Sequence, residues 1–66
     1  MGTIAEELPK EQARVREVLC QYKEIGAAGA FGAAMIDRSL NAADNAIISG
    51  DVIEMIAAYK DLKEIN

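Results

Sequence analysis

The 66-residue sequence lacks the residue types on which most small catalytic and metal sites depend. It contains no histidine and no tryptophan, one proline (Pro9) and one cysteine (Cys20). A single cysteine excludes an internal disulfide, and a structural zinc site needs histidine or further cysteines. Nucleophilic catalysis needs a base beside the nucleophile, yet the neighbours of Cys20 one helical turn away, Arg16 and Glu24, carry opposite charges. We therefore predict a protein that is not an enzyme and that binds no cofactor, metal or small-molecule substrate.

Nucleic acid and membrane partners are also disfavoured. The net charge is -4, and an acidic chain gains nothing from the phosphate backbone. The longest uncharged stretch covers residues 26–36, whereas a helix needs about 20 apolar residues to span a bilayer. Residues 1–7 show no basic start followed by an apolar run, so no signal peptide is indicated. We expect a cytoplasmic protein with no direct nucleic acid or membrane partner.

The chain is long enough for one domain only. A domain of this size buries only about 60% of the surface that its unfolded chain exposes. Small domains usually gain the missing stability from disulfides, from a metal or from oligomerisation, and the first two are excluded. With 52% hydrophobic residues the composition is too apolar for a disordered tail. These facts predict a homo-oligomer.

The first of three predicted helices covers residues 9–25. Residues 1–8 are expected to be flexible or to form a short turn, since Thr3 and Glu6 have the spacing of a capping box. Pro9 suits the first position of a helix, and Gly26 is a plausible residue to end it. Helical spacing places the apolar residues on one face: Val15, Val18, Leu19, Tyr22 and Ile25.

The second helix is predicted over residues 28–48 and is apolar over a wide arc. Two groups of apolar residues lie a third of a turn or more apart, one with Phe31, Met35, Ala42 and Ala46, the other with Ile36, Leu40, Ala43 and Ile47. So wide an apolar face needs more than one neighbour. Gly29 and Gly32 indicate either close packing against another helix or a loop before a late helix start.

Ser49-Gly50-Asp51 is the clearest break in the chain. Gly50 is suited to end the second helix in a left-handed conformation, and Asp51 to cap a third helix over residues 51–64. The fold class predicted is all-α, a three-helix hairpin-type bundle completed by homo-oligomerisation. Residues 1–66 form this single domain.

Residues 43–65 resemble a single helix-turn-helix of the tetratricopeptide repeat family. The matching positions are Gly50, Asp51, Ile56, Tyr59 and Leu62. This resemblance implies a helical hairpin and a tendency to bind proteins. As a whole, the chain is similar in style to the small helical proteins of bacterial genomes and prophages.

The predicted function is a non-catalytic helical module for protein–protein interaction and oligomerisation, with itself and another protein as partners. The predicted interface residues are Phe31, Met35, Leu40, Ile47, Ile53 and Ile56. The alternative is a small acidic regulator of the phage type that binds a basic surface of a host protein through Glu6, Glu7, Glu11, Glu17 and Glu24. Asp37 and Asp44 share a face of the second helix and indicate either a solvated polar stripe or a divalent metal site.

Overall fold

A computed structural model describes residues 2–66. Over this range the chain forms three α-helices and no strand, namely α1 (Ile4–Glu24), α2 (Ala30–Ser49) and α3 (Val52–Lys63), with a 3-10 turn (Gly26–Gly29) between α1 and α2. Each helix packs against the other two. The predicted all-α class is confirmed, and α2 and α3 begin and end within two residues of the predicted ranges. Met1 and the part of the prediction that falls on it lie outside the described residues.

Helix α1 starts at Ile4, five residues earlier than predicted, and continues through Pro9. Thr3 is the N-cap, but its side chain accepts no capping hydrogen bond, so the predicted capping box does not form. Proline has no amide hydrogen, and one helical hydrogen bond is therefore missing at Pro9. Burial compensates for it, because Leu8 is fully buried and Ile4 packs against the same core.

The core lies between all three helices. Its buried apolar members are Leu8, Val15, Leu19, Ala33, Ile36, Leu40, Ala43, Ala46, Met55, Ala58 and Leu62. Leu40, predicted as an interface residue, is only 5% exposed and belongs to this core. The prediction for Leu40 is therefore wrong. The wide apolar face of α2 is divided between α1 and α3 of the same chain, so this part of it needs no second copy.

Glycines end the first two helices. Gly26 and Gly50 have φ angles of +80° and +71°, in the left-handed region that only glycine adopts readily. Asp51 then caps α3, because its carboxylate accepts hydrogen bonds from the amides of Ile53 (2.9 Å) and Glu54 (3.3 Å). The roles predicted for Gly50 and Asp51 are confirmed.

Helix α3 is much shorter than its neighbours. It has 12 residues, against 21 in α1 and 20 in α2, which corresponds to about 18 Å against about 30 Å. Near its end the guanidinium Nη2 of Arg14 donates to the carbonyl oxygen of Leu62 (2.9 Å), and α3 makes no contact with the 3-10 turn. We call residues 15–40, which include the 3-10 turn that α3 does not contact, the two-helix half. Residues 2–14 and 41–66 form the three-helix half.

Candidate association surfaces

Glycines allow α1 and α2 to approach closely in the two-helix half. A methyl group added at Gly29 would overlap the backbone carbonyl of Tyr22, and one added at Gly32 would lie 2.5 Å from the Tyr22 ring. Gly29 is buried in the 3-10 turn, and Gly32 lies in the first turn of α2. Both predicted alternatives are therefore partly realised, because α2 does start late and its glycines do pack tightly.

In the two-helix half, α1 and α2 form a hairpin, and no third helix packs on one of its faces. Phe31 (80% exposed), Met35 (49%) and Ile25 (61%) are the large apolar residues exposed in the two-helix half. Phe31 and Met35 are four residues apart and so share one face of α2. Ala42 and Ala46 follow Met35 at helical spacing, and these two residues line a groove against α3. Phe31 and Met35 therefore lie on the side of α2 that borders the groove with α3 farther along the helix. We call their surface the open face.

A second group of exposed apolar residues surrounds the turn between α2 and α3. Its members are Ile47, Ile48, Val52, Ile53 and Ile56. Ile48 and Ile53 are the most exposed of these, at 82% and 79%. They belong to the three-helix half, at the end of the molecule remote from the open face.

The structure divides the predicted interface residues between these two surfaces. Phe31 and Met35 lie on the open face, whereas Ile47, Ile53 and Ile56 lie near the turn between α2 and α3. Sequence reasoning missed Ile48, although a signal existed. Ile47 and Ile48 are adjacent on a helix and cannot both point into one core.

Charged side chains are distributed unevenly between the two-helix half and the three-helix half. The two-helix half carries three basic and three acidic side chains, whereas the remaining residues carry four basic and eight acidic ones. The entire net charge of -4 therefore resides in the three-helix half. Of the five glutamates predicted to meet a basic partner, Glu6, Glu7 and Glu11 belong to this half, and Glu17 and Glu24 do not.

A groove of about 450 Å³ separates α2 from α3 on the surface of the three-helix half. Its apolar floor consists of the alanines of both helices, Ala42, Ala46, Ala57 and Ala58. Asn45, Glu54 and Asp61 also line it, so the charged groups around the floor are both acidic. Methylene groups fit such a floor, and cationic groups fit its edges.

The polar residues of α2 are used partly for packing. Gln12 is only 3% exposed, and its Nε2 donates to Oδ1 of Asp44 (2.8 Å). The guanidinium Nη2 of Arg16 lies 3.6 Å from the same oxygen. Asp44 therefore orders the contact between α1 and α2, while Asp37 is exposed. Among residues 2–66, no group of three or more potential metal ligands comes together, and the Cys20 thiol is exposed.

Within the described chain, no helix combines the length and apolar character required to cross a bilayer.

No protein-family model, curated protein or solved structure matches this sequence or its fold.

Proposed function

We propose that this chain is a non-catalytic association module whose first partner is another copy of itself. The observation that supports this most directly is the open face, where α3 ends before Phe31 and Met35 are covered. Isolated exposed apolar residues are normal on protein surfaces, but here they share one face at the position of a missing helix. The three largest fully buried side chains, Leu8, Val15 and Leu62, provide only a small core.

The energetics favour association of moderate strength. Burying one large apolar side chain contributes about 1.5–3 kcal/mol, and a two-fold interface buries each residue twice. Loss of translational and rotational freedom opposes this by about 4–15 kcal/mol. Burial of Phe31 and Met35 in both copies would contribute about 6–12 kcal/mol, so we expect a dimer dissociation constant of about 1 µM or weaker.

Sedimentation equilibrium over a concentration series from about 1 µM to about 1 mM tests the proposal at the affinity expected. The expected result is a reversible shift of mass from one chain to two. A single chain at every concentration would contradict self-association. Circular dichroism of the same samples should show helix throughout, because the core lies within one chain.

The uneven charge supports a second candidate, an acidic binder of a basic protein surface. All of the net charge resides in the three-helix half, where Glu54 and Asp61 line the alanine groove. A lysine or arginine of the partner would lay its aliphatic stem on the alanines and pair its charged group with these carboxylates. Exposed Ile48 and Ile53 would supply apolar contact at the same end of the molecule.

A lysine-rich amphipathic helical peptide with a fluorescent label is a suitable probe for this second candidate. Its affinity should fall steeply with salt, and Asp61→Lys should weaken binding about 10-fold. Glu17→Lys, in the neutral half, is the matched control and should change affinity less than about 2-fold. Equal effects of the two variants would contradict a specific acidic groove.

We place this association in the cytoplasm, where reducing conditions would keep an exposed lone thiol such as Cys20 from oxidation.

A further inference from the structure

We infer that the second copy binds on the open face in the opposite direction, with a two-fold axis passing near Met35. This inference rests on the proposed self-association and adds the surface and the orientation. Ala42 is the first residue of α2 that lines the groove with α3, so we take the uncovered part of α2 to extend from Ala30 to about Ser39, with Met35 at its centre. Two hairpins that meet here form a four-helix section, in which Phe31 and Met35 of each copy are covered.

The position of α3 determines the orientation. Helix α3 projects from the same side of α2 as Met35, because Ala42 and Ala46 on that side line the groove with α3. Two copies aligned in the same direction would place their α3 helices against each other and hold the open faces apart. In opposite directions, each α3 lies beyond an opposite end of the four-helix section, and the open faces can meet.

The charge distribution favours the same arrangement. The two-helix half has equal numbers of basic and acidic side chains, so two such halves meet without net repulsion. The three-helix half carries the net charge of -4, and pairing through Ile48 and Ile53 would bring two such ends together. In the antiparallel dimer these acidic ends lie at maximum separation. The open face is therefore the surface suited to a second copy.

Phe31 on the open face and Ile53 near the turn between α2 and α3 provide a matched pair of variants. Phe31→Glu should raise the dimer dissociation constant at least about 30-fold, because it places a charge within the interface. Ile53→Glu introduces the same charge at an equally exposed site and should change it less than about 3-fold. Both side chains are about four-fifths exposed in the single chain, so both variants should remain helical.

Cysteine pairs report the orientation directly. With Cys20→Ser removing the native thiol, Met35→Cys should give a disulfide-linked dimer on mild oxidation. Ile53→Cys should remain unlinked, and spin labels on it should lie about 45 Å apart in the dimer. In solution scattering the dimer should be about 60 Å long, because copies 37 Å long overlap by about 15 Å.

The possible outcomes separate this inference from the proposed function. A dimer weakened by Ile53→Glu and not by Phe31→Glu would overturn the open-face assignment and leave self-association intact. Crosslinking through both Met35→Cys and Ile53→Cys would overturn the antiparallel orientation. A chain that stays monomeric at every concentration would overturn both proposals.

Discussion

Leu62 and Leu19 belong to the same hydrophobic core but lie in different halves of the molecule. Leu62 has no exposed surface and lies on α3, which packs against both α1 and α2. Leu19 retains 8% exposure in the two-helix half, where glycine and alanine bring two helices together without a third. The three-helix half is closed and acidic, whereas the two-helix half is open on one side and neutral.

This difference shows how one short chain can separate folding from association. The large buried side chains come from both halves, with Leu8, Met55 and Leu62 in the closed half and Val15, Leu19, Ile36 and Leu40 in the open half. The core therefore lies within one copy, so α1, α2 and α3 can fold without a partner. The open half in addition keeps Phe31 and Met35 accessible. Variants that act on one half at a time can therefore test the comparison.

The largest expected loss of stability comes from replacing one buried leucine by alanine in each half. Leu62→Ala should reduce the free energy of unfolding by about 4 kcal/mol and Leu19→Ala by about 2 kcal/mol, within the range for buried leucines. Urea denaturation in the Phe31→Glu background, at one low protein concentration, measures both without a contribution from association. Equal losses would contradict the difference in packing between the halves.

Adding a side chain at the glycines where α1 and α2 approach closely should also lower the stability of the chain. Gly29→Ala should reduce stability by about 1–3 kcal/mol, because the new methyl meets the Tyr22 carbonyl and the backbone must move. Gly32→Ala is the control, since the Tyr22 ring can rotate away and the loss should be smaller. Thermal unfolding compares the two. Stabilisation by Gly29→Ala, as helix propensity alone predicts, would contradict the close approach.

The partly buried hydrogen bond between Gln12 and Asp44 in the three-helix half should contribute less to stability. Asp44→Ala leaves the amide of Gln12 without its acceptor and should cost about 1–2 kcal/mol. Adding Gln12→Leu removes the unsatisfied group, so the double variant should recover most of the loss. Chemical denaturation of the two single variants and the double variant gives the coupling energy. Additive losses would show that this hydrogen bond contributes little.

The smallest effects concern the helix caps at the two N-termini. Asp51→Ala removes the capping hydrogen bonds of α3 and should cost about 1 kcal/mol. Thr3→Ala should cost less than about 0.3 kcal/mol, because the Thr3 side chain makes no such bond. Hydrogen exchange at the first amides of α1 and α3 measures both. A greater loss from Thr3→Ala would mean that a capping box forms in solution.

Much of the fold could be predicted from local patterns, and the errors arise where tertiary burial overrides them. Gly50 and Asp51 fix the turn between α2 and α3 through backbone geometry and capping, which depend on neighbouring residues only. Pro9 suggested a helix start, but burial of Leu8 extends the helix to Ile4. The prediction of Leu40 as an interface residue fails because periodicity alone does not show which neighbours cover an apolar face.

The exposed surfaces were predictable only in part, for the same reason. Spacing identified Phe31 and Met35 as sharing one face of a helix, but the early end of α3 decides that this face is open. Helical spacing places Ile25 on the apolar face of the first helix. The helix ends at Glu24, so Ile25 leaves that face and becomes exposed.

Arg14 connects the last turn of α3 to α1 in a way that lysine could not reproduce. Its Nη2 donates to the Leu62 carbonyl while its Nε pairs with the Glu11 carboxylate, whereas lysine has all its donors on one nitrogen atom. A redesigned chain in which α3 continues for two more turns past this arginine would shield Phe31 and Met35 by itself. Such a chain should be a self-sufficient monomer, so a few added residues could decide between assembly and independence.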